Sequence, residues 1–217
     1  MSAAVPVVVL GAGGHAREIA DVVLACAAAG QPLQLLGYLD DDARKHGSTI
    51  HAGVVLGDLS WLDGPGRDEV CLVSGIGSPA ARRRVVAAAQ ARGRRFVTLV
   101  HPHAQRTDEV TLGEGVVVTA GCVLTHAIRI GAHTHVNRCT TIGHDCVVGA
   151  FVHLAPGVVL SGNVTIEDDC DVGTHATVIQ GLTVGRGSIV GAGAVVVRSL
   201  PPQCTAVGVP ARVIKQR

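Results

Sequence analysis

Aliphatic residues recur at every sixth position through most of the second half of the chain. When residues 111–200 are divided into groups of six, the second position of all fifteen groups is Leu, Ile or Val. A helix would need a period of 3.6 residues and a simple strand a period of two, so neither explains this pattern. A chain wound into a triangular prism does explain the six-residue pattern. Each group of six then forms one flat side, and three groups, eighteen residues, complete one turn. The sequence therefore predicts a left-handed parallel β-helix of hexapeptide repeats with five turns.

Other positions of the repeat support this prediction. The sixth position is small or apolar, and we expect the cysteines that occupy it, Cys122, Cys146 and Cys170, to be buried in the prism. Successive turns should stack about 4.8 Å apart through parallel pairing. Glycine follows the aliphatic residue in seven groups, where we expect it to supply the dihedral angles of the corners. These glycines are Gly113, Gly131, Gly143, Gly149, Gly173, Gly185 and Gly191.

The first hundred residues instead alternate short apolar runs with helical segments. The runs at 7–10, 33–39, 54–56, 70–74 and 96–100 indicate strands, and residues 16–29 and 79–92 indicate helices. Such alternation predicts a small Rossmann-like α/β domain with a parallel sheet. We therefore predict this domain over residues 1–102, the β-helix over 103–200, and a capping tail over 201–217. The prolines that follow Leu200 should turn the tail off the prism, whose open end needs a cover.

Composition narrows the classes of function. The chain is 47% hydrophobic and 16% charged, which indicates a globular protein, and its net charge of +1 favours neither a nucleic-acid nor a membrane-surface partner. No apolar stretch reaches the roughly 18 residues of a membrane span, and the first residues do not resemble a signal peptide. The seven cysteines are scattered without a CxxC motif, which favours a reducing cytoplasm.

A glycine-rich loop follows the first predicted strand. The residues Gly11-Ala12-Gly13-Gly14-His15-Ala16 fit the pattern G-x-G-x-x-(G/A) between a strand and a helix, which is the context that makes the pattern informative. Such glycines let the backbone approach a diphosphate, and the helix N-terminus favours its charge. Asp40 ends the second strand, where a carboxylate can bind a ribose hydroxyl. The alternative is a glycine turn that only packs the strand against the helix.

A dehydrogenase is the obvious rival for this loop. However, a unit of about 100 residues is roughly half of a full dinucleotide-binding fold, and no second catalytic α/β domain follows it. A mononucleotide diphosphate that carries a sugar fits the size of the domain better.

Histidines are concentrated in the predicted β-helix. An eighteen-residue turn stacks His126 on His144 and then Gly162, and it places His133 next to Phe151. His144 lies two positions beyond the inward Ile142, so we expect it at the surface. An imidazole, with an ordinary pKa of about 6.5, suits a general base near neutral pH, and a neighbouring carboxylate can orient it. Six histidines lie between Ala120 and Ala176: His126, His133, His135, His144, His153 and His175.

Three motifs together resemble the bacterial sugar acyltransferases: Gly11-Ala-Gly-Gly-His15, Ile142-Gly-His-Asp145 and Gly208-Val-Pro-Ala211. That family includes N-acetyltransferases of nucleotide-linked 4-amino-sugars, such as the bacillosamine pathway enzyme, and sialic acid O-acetyltransferases. The resemblance covers nearly the whole chain. It implies transfer of acetyl from acetyl-CoA to the amino group of a nucleotide-linked sugar such as a 4-amino-4,6-dideoxyhexose. It also implies a homotrimer with active sites at subunit interfaces. From the cysteines we expect the cytoplasm, and from the histidine spacing no metal.

The same resemblance assigns roles to individual residues. It implies that His144 is the base, that Asp145 assists it, and that the N–H of Gly162 holds the oxyanion. The family carries Glu where this chain has Asp145, so either the shorter side chain still reaches the histidine or Asp145 is a solvated corner residue. The resemblance places the nucleotide sugar at Gly11, Gly13, Gly14, His15, Asp40, Asp41, Gly75 and Gly77. It places acetyl-CoA at His153, Gly162, Thr174, Ala192, Gly193, Pro210 and Arg212.

Alternative functions remain open at this point. O-acetylation of a sialic acid or related sugar would use the same base, and a non-catalytic trimer that binds nucleotide sugars would use the same loop. Some β-helix trimers are zinc carbonic anhydrases. Their histidine pair is separated by four residues, and no pair in this β-helix has that spacing.

Overall fold

The computed structural model describes residues 3–216 and divides the chain into two compact units. The first unit runs to Gly77 and includes residues 81–102, and the second contains residues 78–80 and everything from His103 onwards. Within the described residues, no helix combines the length and the apolar character needed to cross a bilayer.

The first unit contains a five-stranded sheet in the order β3-β4-β2-β1-β5. All neighbouring strands in it are parallel except the β3–β4 pair. The predicted small parallel α/β sheet is therefore confirmed. Short 3-10 helices cover Ala43–Lys45 and Leu59–Asp63. The longer elements are β1 (Val5–Leu10), α1 (Gly14–Ala28), β2 (Leu33–Leu39), β3 (Thr49–Ile50), β4 (Gly53–Gly57), β5 (Cys71–Ser74), α2 (Pro79–Gln90) and β6 (Leu99–Val100).

Strand β1 lies inside this sheet, between β2 and the edge strand β5. The chain reaches β2 through helix α1, which buries one apolar face, and later returns to the other side of β1 as β5. Parallel α/β sheets bind ligands beyond the carboxyl end of the strand where the connections change direction. The carboxyl end of β1 is that point here. The buried residues of α1 are Ala16, Ile19, Ala20, Val22, Val23 and Cys26.

The second unit is built from two-residue strands separated by corners. They form three parallel sheets: β7-β10-β13-β16-β19-β22, β8-β11-β14-β17-β20, and a third that contains β9-β12-β15-β18-β21. From Val118 to Val196, the second residue of every group of six is at most 3% exposed. The hexapeptide-repeat β-helix is therefore confirmed. The strands are β7 (Gln105–Arg106), β8 (Thr111–Leu112), β9 (Val117–Val118), β10 (Val123–Leu124), β11 (Arg129–Ile130), β12 (His135–Val136), β13 (Thr141–Ile142), β14 (Val147–Val148), β15 (His153–Leu154), β16 (Val159–Leu160), β17 (Thr165–Ile166), β18 (Asp171–Val172), β19 (Thr177–Val178), β20 (Thr183–Val184), β21 (Ile189–Val190) and β22 (Val195–Val196).

The expectation that the prolines after Leu200 turn the chain off the prism is wrong. Leu200 forms a parallel bridge with Val184, and strand β23 (Cys204–Val207) pairs in parallel with β21. The chain then reverses into β24 (Arg212–Gln216), which is antiparallel to β23. The tail thus adds another rung, because Cys204 and Ala206 continue the buried apolar layer even though the six-residue spacing has been lost.

The corner glycines have a different role from the one expected. None of the seven glycines that follow the aliphatic residue has a positive φ; instead the fifth position of the group does, in fourteen of the fifteen groups. A Cβ on Gly131 would lie 2.5 Å from the backbone nitrogen of Ala150, and one on Gly143 would lie 2.7 Å from that of Gly162. Glycine is needed there because the next turn of backbone passes too closely for a side chain.

The sixth-position cysteines are buried as predicted, and they also link successive turns. The thiols of Cys122, Cys146 and Cys170 donate to carbonyl oxygens of the following turn at 3.1, 3.1 and 3.2 Å. Burial raises the pKa of each thiol, and for Cys170 to about 12. These side chains therefore stay protonated near neutral pH and act as hydrogen-bond donors of the core.

Candidate active site

A small cleft lies at the carboxyl ends of β1 and β2 in the first unit. Its volume is about 170 Å³. It holds the carboxylates of two predicted site residues, Asp40 and Asp41, and it opens at the switch point of the sheet. Sequence reasoning did not identify its apolar walls, because they come from segments far apart in the chain. The lining residues are Leu10, Gly11, Leu39, Asp40, Asp41, Leu59, Ile76 and Val85.

The glycines around this cleft fall into two kinds. Gly11 has a φ of 94°, and Gly75 lies so close to helix α1 that a Cβ would be 2.5 Å from the Cα of Ala16. These two glycines are required by the fold itself. A Cβ on Gly13 would meet no atom within 4 Å, and one on Gly14 only the end of Arg17. Internal packing does not require glycine at these two positions, so a ligand could approach the backbone there.

The first turn of α1 carries no acidic residue, although the carboxylate of Asp40 binds the N–H of Ala12 just before the helix. Gly13 occupies the N-cap in an extended conformation without a side-chain cap. The N–H groups of Gly13 and Gly14 and the positive end of the helix dipole favour an anion such as a diphosphate. His15 lies in this turn, with its Nδ1 3.3 Å from Oε2 of Glu18.

Asp40 is already engaged within the protein. Its carboxylate accepts hydrogen bonds from the N–H of Ala12 at 2.7 Å, from the N–H of Asp42 at 3.0 Å and from Nζ of Lys45 at 3.0 Å. Burial alone would raise the pKa of Asp40, but these donors outweigh it and lower the pKa below its ordinary value. Asp40 thus ties the glycine loop to the segment after β2, whereas Asp41 is exposed and lines the cleft. Lys45 was missed because nothing in its spacing connects it to Asp40.

The segment after β5 is held by a buried arginine. The guanidinium of Arg82 is fully buried and its Nη1 donates to the carbonyl oxygens of Ile76 at 2.8 Å and Gly77 at 2.9 Å. Sequence reasoning did not identify Arg82. The predicted site residue Gly77 therefore lies in a loop with a fixed backbone.

The second unit brings His144 and Asp145 together at a corner of the prism. Nδ1 of His144 lies 2.8 Å from Oδ2 of Asp145, and both side chains are well exposed, at 66% and 61%. Asp145 occupies the fifth position and has a φ of 59°, a conformation that Asp tolerates better than most residues. The short side chain therefore reaches the imidazole while also forming the corner.

Gly162 lies on the next turn, directly against the imidazole. A Cβ on Gly162 would be 2.5 Å from Nε2 of His144, and the N–H of Asn163 donates to the carbonyl of His144 at 2.7 Å. The predicted stacking of His144 on Gly162 is confirmed. Within residues 3–216, the N–H of Gly162 donates to no protein acceptor. This amide is therefore available to a ligand next to the imidazole.

Three other histidines of the β-helix stack on neighbouring turns, and the contact of His133 with Phe151 is as predicted. The rings of His133 and Phe151 are 4.9 Å apart, and β12 pairs His135 with His153, whose rings are 6.5 Å apart. Asn137, which sequence reasoning missed, places its Nδ2 3.5 Å from Nε2 of His153.

The residues predicted for acetyl-CoA occupy several places. Gly162 shares the corner of His144, whereas Thr174, Ala192 and Gly193 occupy another corner, where the N–H of Gly193 donates to the carbonyl of Thr174 at 2.8 Å. Pro210, after a cis peptide bond, and Arg212, at the start of β24, are exposed. Within the second unit, the predicted coenzyme residues thus lie on two edges of the prism, on the face that contains His153, and on the terminal hairpin.

Both halves of the chain match known families. Residues 6–89 match the family model described as the PglD N-terminal domain, and residues 110–126 and 163–198 match the hexapeptide repeat of succinyl-transferase. Among curated proteins, GDP-perosamine N-acetyltransferase of Escherichia coli O157:H7 is 30% identical over 89 residues. That alignment spans 41% of this chain and only 40% of the relative.

Solved structures match over nearly the full length. PerB from Caulobacter crescentus, in complex with CoA and GDP-perosamine, is 34% identical with a TM-score of 0.86, and the match covers 97% of each chain. The acetyltransferase domain of PglB from Neisseria gonorrhoeae FA1090 is 33% identical with a TM-score of 0.88, over 97% of this chain and 100% of that domain. The chain therefore belongs to the family of sugar N-acetyltransferases that join a PglD-type domain to a hexapeptide-repeat β-helix.

Proposed function

We propose that this chain transfers the acetyl group of acetyl-CoA to the amino group of a nucleotide-linked 4-amino-4,6-dideoxyhexose, with GDP-perosamine as the first candidate. The observation that carries the proposal is the imidazole of His144, held by Asp145 at 2.8 Å and lying against Gly162, whose N–H is unused within the described chain. Base and oxyanion donor are thus adjacent. The bound ligands of the Caulobacter crescentus relative supply the two substrates for the proposal.

The hydrogen bond to Asp145 defines the working form of the base. A carboxylate can only accept, so Nδ1 of His144 carries the proton and Nε2 keeps a free lone pair. The sugar amine attacks the thioester carbonyl, forming a C–N bond, while its proton passes to Nε2. The oxyanion accepts the N–H of Gly162. The C–S bond then breaks, and the thiolate takes the proton from Nε2, which restores the base.

The nucleotide part of the substrate is assigned to the first unit. The N–H groups at Gly13 and Gly14 and the positive end of the helix dipole suit a diphosphate, and Asp41 in the cleft suits the nucleoside. Asp40 was predicted to bind the ribose, but we assign it instead to holding the glycine loop through the N–H of Ala12. We assign His153, with its half-buried imidazole, and the exposed Thr174, Ala192, Gly193, Pro210 and Arg212 to acetyl-CoA.

We further propose a homotrimer that works in the cytoplasm, where acetyl-CoA and nucleotide sugars are available. In a single chain the base is two-thirds exposed, whereas acyl transfer favours a site that excludes water. The predicted coenzyme residues also lie on two edges of one prism, as a groove between neighbouring subunits would require.

The first experiment tests the acceptor. The full chain is incubated with acetyl-CoA and GDP-, UDP- or dTDP-linked 4-amino sugars or free sialic acid, and products are identified by mass spectrometry. We expect N-acetylation of one nucleotide amino sugar. Acetylation of sialic acid alone would support an O-acetyltransferase, and tight nucleotide binding without CoA release would support a non-catalytic binder.

The base is tested by the variant His144→Ala. Loss of a general base lowers turnover by about 10²–10⁴, so we expect a fall in kcat of this size, measured as CoA release at saturating substrates. Nucleotide binding to the first unit, measured by calorimetry, serves as the control and should not change. A kcat near that of the unaltered protein would remove His144 as the base.

A further inference from the structure

The fourth position of the six-residue group lies at a corner of the prism, and it carries a side chain in fourteen of the fifteen groups. Gly162 is the exception. Its φ lies outside the left-handed region that favours glycine, so its backbone conformation is open to any residue. The conformation of the chain therefore does not explain why this position is a glycine.

The imidazole of His144 does explain it. A Cβ at position 162 would lie 2.5 Å from Nε2, 2.6 Å from Cε1 and 3.0 Å from Cδ2 of that ring. Carbon atoms in contact prefer separations of about 3.5–4.0 Å. The ring thus occupies the volume that a side chain on Gly162 would fill, while its Nδ1 is bound to Asp145.

We propose that Gly162 is a positioning residue for the base: its missing side chain lets the His144 ring lie against the next turn while Asp145 holds it. The role of Gly162 in catalysis rests on the proposed function. It is separate from the oxyanion role of the Gly162 N–H, because it depends on the absence of a Cβ and any residue would keep the amide. The methyl group of an alanine would push the ring off the turn and away from Asp145.

The variant Gly162→Ala tests this directly. The clash involves a side chain that can rotate away, so we expect the thermal midpoint to stay nearly unchanged. Misplacing a catalytic group by about 1 Å can cost on the order of 10²-fold in rate, so kcat should fall by about this factor while the KM values for acetyl-CoA and the nucleotide sugar stay the same. Without substrates, nitrogen NMR of the full chain should show a changed His144 imidazole signal.

A double variant distinguishes an effect of the methyl group on the His144 ring from an effect on coenzyme binding. If the methyl acts only through the imidazole, His144→Ala/Gly162→Ala should have the same kcat as His144→Ala alone. A double variant well below the single variant would show that the methyl obstructs the coenzyme or the amide, and would overturn the proposal. So would an unchanged imidazole signal or an unchanged kcat in Gly162→Ala.

Failure of the proposed function gives a different result. If the unaltered chain acetylates no sugar, the imidazole signal still reports whether position 162 sets the place of the ring. A changed signal in an inactive protein would uphold the packing and reject the acetyl transfer.

Discussion

At the scale of single residues, the site depends on a short carboxylate in an unusual conformation. Asp145 has a φ of 59° and binds Nδ1 of His144. Asparagine also tolerates this conformation, so Asp145→Asn should keep the corner and the thermal midpoint while removing the charge that stabilises the imidazolium. We expect kcat to fall by about fivefold, because a hydrogen bond to an exposed charged partner contributes on the order of 1 kcal/mol. Steady-state CoA release measures it, and an unchanged kcat would make Asp145 a corner residue alone.

Asp40 gives a prediction about pH. Its folded-state pKa is lowered, since its three donors outweigh the effect of burial. A lowered pKa stabilises the fold above the unfolded value, about 3.9, and this contribution is lost as pH falls through the folded value. Asp40→Asn should therefore lower the thermal midpoint at pH 7, and the difference from the unaltered chain should shrink below about pH 4. Asp41→Asn, a change to an exposed neighbour, is the matched control.

Variants of Asp40 and Asp41 also distinguish an effect on stability from an effect on nucleotide binding. Asp41→Asn should weaken nucleotide binding without loss of stability, whereas Asp40→Asn should weaken both, because Asp40 holds the N–H of Ala12 in the loop. Equal stability of the two variants at pH 7 would contradict the supporting role of Asp40.

At the scale of the element, the β-helix depends on close contact between its turns. In Gly131→Ala, the new Cβ would lie 2.5 Å from the backbone nitrogen of Ala150, and backbone cannot rotate away. Overpacking of this kind costs about 1–3 kcal/mol, so we expect a clear loss of stability in denaturant unfolding. Ser161→Ala is the control, because this third-position residue already has a Cβ. Equal stability of the two variants would show that the turns can separate at little cost.

The same elements show what the sequence could and could not predict. The period of six predicted the β-helix because inward aliphatic residues must repeat with the turn, and it also predicted that His144 stacks on Gly162. The role of Gly131 could not be predicted, since the sequence does not distinguish a glycine that supplies a positive φ from one that leaves room for neighbouring backbone. The partners Lys45 and Arg82 were missed because loop contacts depend on three-dimensional placement and leave no periodic signal.

At the scale of the whole molecule, the proposed trimer would complete sites that one chain leaves open. His144 and Gly162 lie on one edge of the prism, and Thr174 and Ala192 lie on another. If one coenzyme contacts both edges across a subunit boundary, each chain contributes half of two different sites. Size-exclusion chromatography with light scattering should then give three times the 22.1 kDa of one chain.

Mixed trimers test the shared site itself. His144→Ala removes the base on one edge, and Ala192→Trp places a bulky ring on the other, so each variant alone should have little activity. When the two are co-expressed with different tags and purified through both, each mixed trimer should hold one site with an intact base from one chain and an intact coenzyme edge from its neighbour. We therefore expect CoA release to recover to about a third of the normal kcat per trimer, since one of three interfaces is intact. If both edges of a site belong to the same chain, the mixed trimers will stay as inactive as either variant, because no site can then combine the two intact halves.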